Sequence, residues 1–245
     1  MDLFKPDHLL ISRAISTLEK TIIESGIAEI RLSSDMAELE VAAEEANKHP
    51  VASEMFERAF FTLPPNQLLW IGLYDEKNKC VCTCACKYED IGTWSLQHHM
   101  NEYIERTWPG VGDPGTFCKI KKGSGTYASS VNGKTVYVGY GHVEPEWREK
   151  NLLGLSQRLL LLSAFYQWEP RILYGFMRPS MISKGYHLNW GYSLSCPKAF
   201  IWENPPEAPD MRDLCFVAVG TEGIRLLASD PLMVGTNRRL ESMKK

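Results

Sequence analysis

The feature that most constrains the fold is the stretch 134–168, in which a strand passes through a short polar loop into a long apolar helix. β-Branched and aromatic residues at 135–143 predict the strand, and Pro145 marks its end because proline has no N–H to donate within a sheet. The apolar run that begins near Leu152 predicts a buried helix. The first N–H groups of a helix have no partner within it, and the helix dipole favours negative charge there. The stretch is therefore typical of a strand–turn–helix unit of an α/β core, and it also suits an anion site.

The loop in this stretch resembles the acyl-CoA-binding motif of the GCN5-related N-acetyltransferase superfamily. Val143, Pro145 and Arg148 stand at the positions of the V-x-P-x-x-R-x-x-G-x-G/A pattern, in which backbone amides surround the pyrophosphate of coenzyme A. Asn151 and Leu153 occupy the two glycine positions, although glycine is the residue that lets a backbone approach a phosphate closely. The resemblance implies acetyl-CoA or another acyl-CoA as co-substrate. The donor-binding residues that it implies are Val143, Arg148, Glu149, Lys150, Asn151, Leu152, Leu153 and Gly154.

A second resemblance lies downstream, in residues 181–192. This run is similar to the final helix of the superfamily and to the glycine–aromatic pair that opens the next strand, here Gly191 and Tyr192. The two motifs together imply an α/β (α+β) fold with a mixed, mostly antiparallel central sheet flanked by helices. In that fold the central strands splay apart, and the pantetheine arm of the donor enters the gap between them.

The order of the predicted elements agrees with this fold. We expect one acyl-CoA N-acyltransferase-like domain over 1–245, with an N-terminal helical extension at 1–26 and a helical insertion at 93–125. Periodicity, capping residues and turn residues predict the elements, and the Asn132-Gly133 pair predicts a hairpin. The predicted helices are 7–25, 35–46, 51–62, 93–107, one from 152 and 179–189, and the predicted strands are 27–32, 67–74, 79–88, 127–131, 134–143, 171–176, 191–202, 214–220 and 223–227.

Four residues are candidates for the chemistry of acyl transfer, which needs a base for the amine and a proton for the leaving thiolate. His142 lies at the end of the strand before the loop, and Glu144 is the nearest carboxylate, so we predict one of them as the base. Many members of the superfamily use a tyrosine of the final helix as the proton donor. Its register falls on His187, with Tyr186 beside it, and either is a candidate. A histidine that caps a strand end and packed residues of a helix are the alternatives.

The overall charge and hydropathy exclude several classes of protein. A formal net charge of −3 and a pI near 6.1 argue against a general binder of nucleic acid or of anionic membranes. No uncharged apolar run reaches about 18 residues, so no membrane span is predicted. The first 20 residues mix both charge signs and lack the apolar segment of a secretory signal, so we expect a cytoplasmic protein.

Cys80, Cys82, Cys84 and Cys86 alternate along a predicted strand, which places their side chains on one face. Residues two apart on a strand are separated by about 6.6–6.8 Å, too far for thiolates that must each lie ~2.3 Å from one zinc ion. We therefore interpret the four cysteines as small buried hydrophobic residues in a reducing compartment, and we predict no metal site.

The function that the resemblance implies is transfer of an acyl group from acyl-CoA to an amine. The acceptor, a small molecule or a protein, is not indicated by the sequence, and oligomer formation is left open. The 245-residue length and the insertion also suit an acyl-carrier-protein-dependent N-acyl amino acid synthase or acyl-homoserine lactone synthase. The missing glycines of the loop favour a further alternative, a fold relic that binds a ligand or partner without turnover.

Overall fold

The computed structural model describes residues 7–46, 56, 63–121 and 127–233 of the chain. The strands are β1 Glu29–Ser33, β2 Leu68–Tyr74, β3 Cys80–Asp90, β4 Lys119–Ile120, β5 Lys134–Val143, β6 Ile172–Met177, β7 Leu194–Cys196, β8 Trp202–Asn204 and β9 Cys215–Gly220. The helices are α1 His8–Glu24, α2 Met36–Glu45, α3 Leu96–Thr107, α4 Leu152–Trp168, α5 Pro179–Ser183, α6 Tyr186–Asn189 and α7 Thr221–Ser229.

Within the described residues, seven strands form one sheet in the order β1-β2-β3-β5-β6-β9-β7. All neighbours in this sheet are antiparallel except β5 and β6, which are parallel. A parallel pair needs a long crossover, and α4 supplies it. The fold prediction is confirmed, because the sheet is mixed, mostly antiparallel and flanked by helices.

The two faces of the sheet carry different cores. On the aliphatic face, α1, α4 and α7 cover the sheet, and the core there includes Ile22 of α1, Leu160 of α4 and Leu173 of β6. On the aromatic face, α2 and α3 cover residues such as Trp70 and Phe216. A fully buried aliphatic side chain contributes about 1.5–3 kcal/mol to folding, so the leucine-rich α4 is a main source of stability.

The strand β5 changes its neighbours along its length. Residues 135–137 pair with 172–174 of β6, whereas the pairing with β3 continues to the end of the strand. The described residues show no β5–β6 pairing beyond this point. The backbone bulges at Tyr140, which has a φ of 55°, a left-handed conformation that costs energy for a tyrosine. A Cβ at Gly175 of β6 would lie 2.7 Å from the Val138 oxygen, so β5 and β6 are very close at this position, just after their last paired residues.

Several predicted elements are confirmed, and Asp35 caps α2 by accepting a hydrogen bond from the Ala37 N–H at 2.7 Å. Others are wrong. Residues 127–130 form a 3-10 helix rather than a strand, so the hairpin around Asn132-Gly133 does not form, and the Leu96 N–H instead bonds to the Val131 oxygen at 2.7 Å.

The C-terminal third also differs from the prediction. The helix predicted at 179–189 divides into α5 and α6 at Gly185, which has a φ of 75°. The strand predicted at 191–202 divides into β7 of the main sheet and β8, which pairs with β4. The strand predicted at 223–227 is the amphipathic helix α7, whose apolar residues pack on the aliphatic face. The helix predicted at 51–62 lies outside the described residues, apart from Phe56.

The four alternating cysteines are all buried, as predicted, but they do not share one face. Cys82, Cys84 and Cys86 belong to the aliphatic face, whereas Cys80 belongs to the aromatic face. The cause is an irregularity in the register, in which Leu73 pairs with Cys82 and Tyr74 with Cys80. Burial raises the pKa of the Cys82 thiol to about 12, which keeps it protonated and unreactive.

In the part of the chain that the structure describes, no helix is long and apolar enough to cross a membrane. No group of three or more His, Cys, Asp or Glu side chains is placed to hold a metal ion among those residues.

Candidate active site between β5 and β6

A cavity of about 740 Å³ lies where β5 leaves β6. Its walls come from both faces of the sheet, because Tyr137 and Phe176 belong to the aromatic face and Tyr192 and Val217 to the aliphatic face. The cavity also reaches α4 at Gln157. Its volume falls within the range of small-molecule sites, and it passes through the sheet rather than lying on one side of it.

The loop that the sequence assigned to donor binding lies at the N-terminus of α4. Residues 145–150 form a 3-10 helix, and Asn151 then adopts a left-handed conformation with a φ of 57°. Asparagine tolerates this conformation better than most residues, so it serves where the motif has glycine. The helix's own hydrogen bonds begin with the Leu155 N–H and the Asn151 oxygen at 3.1 Å. The N–H groups of Leu152, Leu153 and Gly154 therefore precede this ladder and are available to an anion.

Gly154, one position after the motif's second glycine, has its own steric role. A Cβ there would lie 2.6 Å from Asn151 Oδ1 and 2.8 Å from Asn189 Nδ2. These two asparagines pair through Asn189 Nδ2, which donates to Asn151 Oδ1 at 2.6 Å. Glycine at 154 leaves room for this pair, which ties the start of α4 to the end of α6.

The charged residues of the loop differ in their surroundings. Lys150 donates to the Ser25 oxygen at 2.9 Å and lies over the Trp147 ring, so its ammonium is held by the end of α1. Arg148 is exposed and makes no ion pair with another described residue. Glu149 is also exposed, and Val143 packs against the aliphatic core.

Arg158 holds the end of α6 in place from within α4. It is buried, and its guanidinium donates to the Asn189 oxygen at 2.6 Å and to the Pro231 oxygen at 2.9 Å. Burial lowers the pKa of Arg158 from its ordinary value. The hydrogen bond to Asn189 fixes the position of this residue at the end of α6, and it therefore fixes where Gly191 and Tyr192 lie.

Tyr192, which follows α6, lines the cavity between β5 and β6. Gly191, with a φ of 94°, turns the chain after α6, and a Cβ there would lie 3.0 Å from Leu161 Cδ1. The Tyr192 hydroxyl lies 3.4 Å from the position that a Cβ on Gly175 would take. Burial raises the pKa of Tyr192 well above its ordinary value, so the hydroxyl stays protonated. The glycine–aromatic pair was visible in the sequence, but periodicity could not show that its aromatic member enters the cavity.

The two residues predicted as candidate proton donors, Tyr186 and His187, lie outside the cavity lining. Tyr186 is 41% exposed and contacts the Trp190 ring, and it does not line the cavity. His187 also lies outside the cavity lining. The His187 Nδ1 atom is buried without a hydrogen-bond partner among the described residues, and burial lowers the pKa of His187.

The predicted bases lie at the end of β5 and just after it, and neither is among the residues that line the cavity, although Gly141, next to His142, is. His142 is half-buried and pairs in register with Thr83, while Val143 pairs with Cys82 of the aliphatic face. Because side chains alternate along a strand, His142 faces the aromatic side. Glu144 is buried and accepts a hydrogen bond from Lys79 Nζ at 2.7 Å, and this bond raises the pKa of Lys79. Glu144 is therefore engaged in an ion pair with Lys79.

Two further polar groups in the cavity wall were not indicated by the sequence. Gln157 is 2% exposed, and its Oε1 has no hydrogen-bond partner among the described residues. The same holds for the indole N–H of Trp108, a residue that is 4% exposed. Leaving such a group unpaired costs about 1–3 kcal/mol, so both groups are candidates to bond a ligand in the cavity.

Three solved structures illustrate what the fold is similar to. Arabidopsis thaliana NAA60 in complex with acetyl-CoA is 10% identical, with 78% of this chain and 99% of that chain covered and a TM-score of 0.45. The yncA protein from Salmonella typhimurium, with its cofactor acetyl-CoA, is 11% identical over 79% of this chain and 95% of that chain, with a TM-score of 0.41. FeeM, an N-acyl amino acid synthase from uncultured soil microbes, is 12% identical over 84% and 98%, with a TM-score of 0.45.

No protein-family model matches the sequence, and no curated protein matches it. The chemistry of the cavity is a property of this chain's own residues.

Proposed function

We propose that the protein is an acyltransferase that moves an acyl group from acyl-CoA to an amine. The observation that supports this most directly is the cavity between β5 and β6, which is lined from both faces of the sheet and reaches α4 at Gln157. A thioester donor can lie in this gap with its pyrophosphate at the N–H groups of residues 152–154. In this proposal the side-chain amide of Gln157, whose Oε1 has no hydrogen-bond partner among the described residues, bonds an amide of the pantetheine arm.

The transfer needs one bond to form and one to break. The neutral amine attacks the thioester carbonyl, a C–N bond forms, and the C–S bond breaks. The proton that the nitrogen loses balances the one that the thiolate gains. Tyr192, whose raised pKa keeps its hydroxyl protonated, donates a hydrogen bond to the sulfur as negative charge develops there. His142 stays the candidate base for the amine, since Glu144 is paired with Lys79.

Isothermal titration calorimetry tests the donor. We expect acetyl-CoA to bind the folded protein, and we expect S-acetyl-N-acetylcysteamine, which lacks the pyrophosphate and most of the arm, to bind far more weakly. If acetyl-CoA shows no binding up to millimolar concentration while the protein is folded, coenzyme A is not the donor. The same titration with an acylated carrier protein then tests the other source of the pantetheine arm.

Release of free thiol from acetyl-CoA tests turnover. With a panel of amines, we expect an amine-dependent rate above the hydrolysis background. Binding of acetyl-CoA without any amine-dependent thiol release would contradict the transferase proposal and support a ligand-binding relic of the fold.

A further inference from the structure

The part of the cavity that lies against the aromatic face, lined by Trp108, Pro109 and Glu207, is called here its second compartment. Its wall is built where the insertion meets the linker between β8 and β9, and the Glu207 N–H bonds to the Pro109 oxygen at 3.1 Å. Trp108 lies next to Pro109, and the rings of Tyr137 and Phe176 face the same cavity. A wall of this kind favours an apolar, aromatic ligand body.

The charged groups at this end favour a cation. Arg178 forms an ion pair with Asp210, and both line the cavity. Arg212 binds the backbone oxygens of Pro206 and Glu207 at 2.9 and 3.2 Å. The Glu207 carboxylate makes no ion pair with another described residue, so it is the anion that remains to meet an ammonium group.

The Trp108 indole adds a second requirement. Its N–H is buried, and no described residue accepts its hydrogen bond. An oxygen on the ligand can accept this bond and remove the cost of the unpaired donor. Glu207 is joined to Pro109, the neighbour of Trp108, by a backbone hydrogen bond, and Glu207 and Trp108 line the same cavity.

We propose that this compartment binds the acyl acceptor, and that the acceptor is an aromatic α-amino amide or a compound of the same pattern. It has an apolar aromatic body, an ammonium group near Glu207 and a carbonyl oxygen that accepts the Trp108 N–H. The inference rests on the proposed transferase function, since it identifies the acceptor of that reaction, and binding can be measured without turnover.

Three probes with one aromatic body test the pattern: phenylalaninamide, phenethylamine and phenylalanine. Their binding is measured by calorimetry to the protein saturated with coenzyme A, which carries no acyl group to transfer. We expect phenylalaninamide to bind about 2- to 10-fold more tightly than phenethylamine, the worth of one neutral hydrogen bond. Phenylalanine is expected to bind most weakly, because its carboxylate is repelled by the carboxylate of Glu207.

Two variants assign the contacts. In Trp108→Phe the loss for phenylalaninamide should exceed the loss for phenethylamine by the same 2- to 10-fold, which separates the hydrogen bond from a change in packing. In Glu207→Gln both amines should weaken by a similar few-fold factor, as for an exposed ion pair. Melting temperatures of both variants confirm that they are folded.

Several outcomes overturn the proposal. Tightest binding of phenylalanine would show an amino-acid site built on Arg178. An equal loss of affinity for both amines in Trp108→Phe would show that the indole N–H donates no hydrogen bond to a ligand oxygen. Transfer to other amines with no binding of phenylalaninamide would leave the transferase standing and reject this acceptor. Binding of phenylalaninamide that depends on Trp108, without any thiol release, would keep this site and reject the transferase.

Discussion

The two edges of β5 show how one strand serves both stability and a binding site. The β3 edge is closed along the whole strand, and it carries a buried polar cluster that attaches α3 to the sheet. In this cluster Lys87 donates to Tyr103 and to Glu89 at 3.3 Å, and His99 lies 3.0 Å from Glu89. The β6 edge is paired over three residues and then opens into the cavity. Substitutions at the closed edge should therefore affect stability, and substitutions at the open edge should affect activity.

The largest expected effect lies at the closed edge. Lys87 is fully buried, and Lys87→Met leaves the Glu89 carboxylate with His99 as its remaining ion-pair partner. Removing one member of a buried pair costs about 3–5 kcal/mol, and we expect a loss near the lower figure in urea unfolding. The exposed Lys77→Met is the matched control and should change stability by less than about 0.5 kcal/mol. An unchanged midpoint for Lys87→Met would show that the cluster does not stabilise this edge.

At the open edge, Tyr192→Phe removes the hydroxyl and keeps the ring. We expect kcat for amine acetylation to fall by ~10²-fold, the usual scale for losing one hydrogen-bond donor to developing negative charge, with little change in stability or in KM for acetyl-CoA. Tyr186→Phe is the control, since that side chain is exposed outside the cavity. The opposite result, a loss in Tyr186→Phe and full activity in Tyr192→Phe, would reject Tyr192 and support Tyr186, one of the two candidate donors from the sequence.

A smaller effect is expected at the start of α4. In Gly154→Ala the new Cβ would displace the Asn151–Asn189 pair, so we expect the Kd for acetyl-CoA to rise by roughly tenfold, about 1.4 kcal/mol. The helix itself should gain up to about 1 kcal/mol, because alanine is the better helix former. Gly220→Ala, whose Cβ would make an ordinary 3.7 Å contact, should leave acetyl-CoA binding unchanged. Equal binding by both variants would rule out a role of the asparagine pair in shaping the loop.

The smallest effect is a pH dependence at His187. Burial lowers its pKa in the folded protein, so between the folded and the unfolded pKa the unfolded chain binds more protons. Stability at this site is therefore lost as the pH falls through about 6.5, the ordinary value for histidine. We expect His187→Gln to lose less stability than the unchanged protein between pH 7.5 and 5.5. Parallel curves for the two proteins would show that His187 does not titrate in this range.

The local signals of the sequence predicted much of the fold. The apolar run from Leu152 predicts α4, Asp35 predicts the start of α2, and the β-branched stretch before Pro145 predicts β5. These predictions are confirmed because caps, proline and hydrophobic period act within a few residues. The hairpin prediction at Asn132-Gly133 is wrong because a distant contact overrides the local signal. The segment before this pair bonds to the start of α3, which lies far from it in the sequence.

The candidate site depended on contacts that no local pattern contains. The sequence by itself determined that the polar loop after β5 lies directly before a buried helix, because this follows from the order of residues. Only the tertiary structure decided that Tyr192 enters the gap, since its position depends on Gly191 and on the anchor from Arg158. It likewise decided that Trp108 and Gln157 are buried without partners, because hydrogen-bond satisfaction is a property of what packs around a side chain.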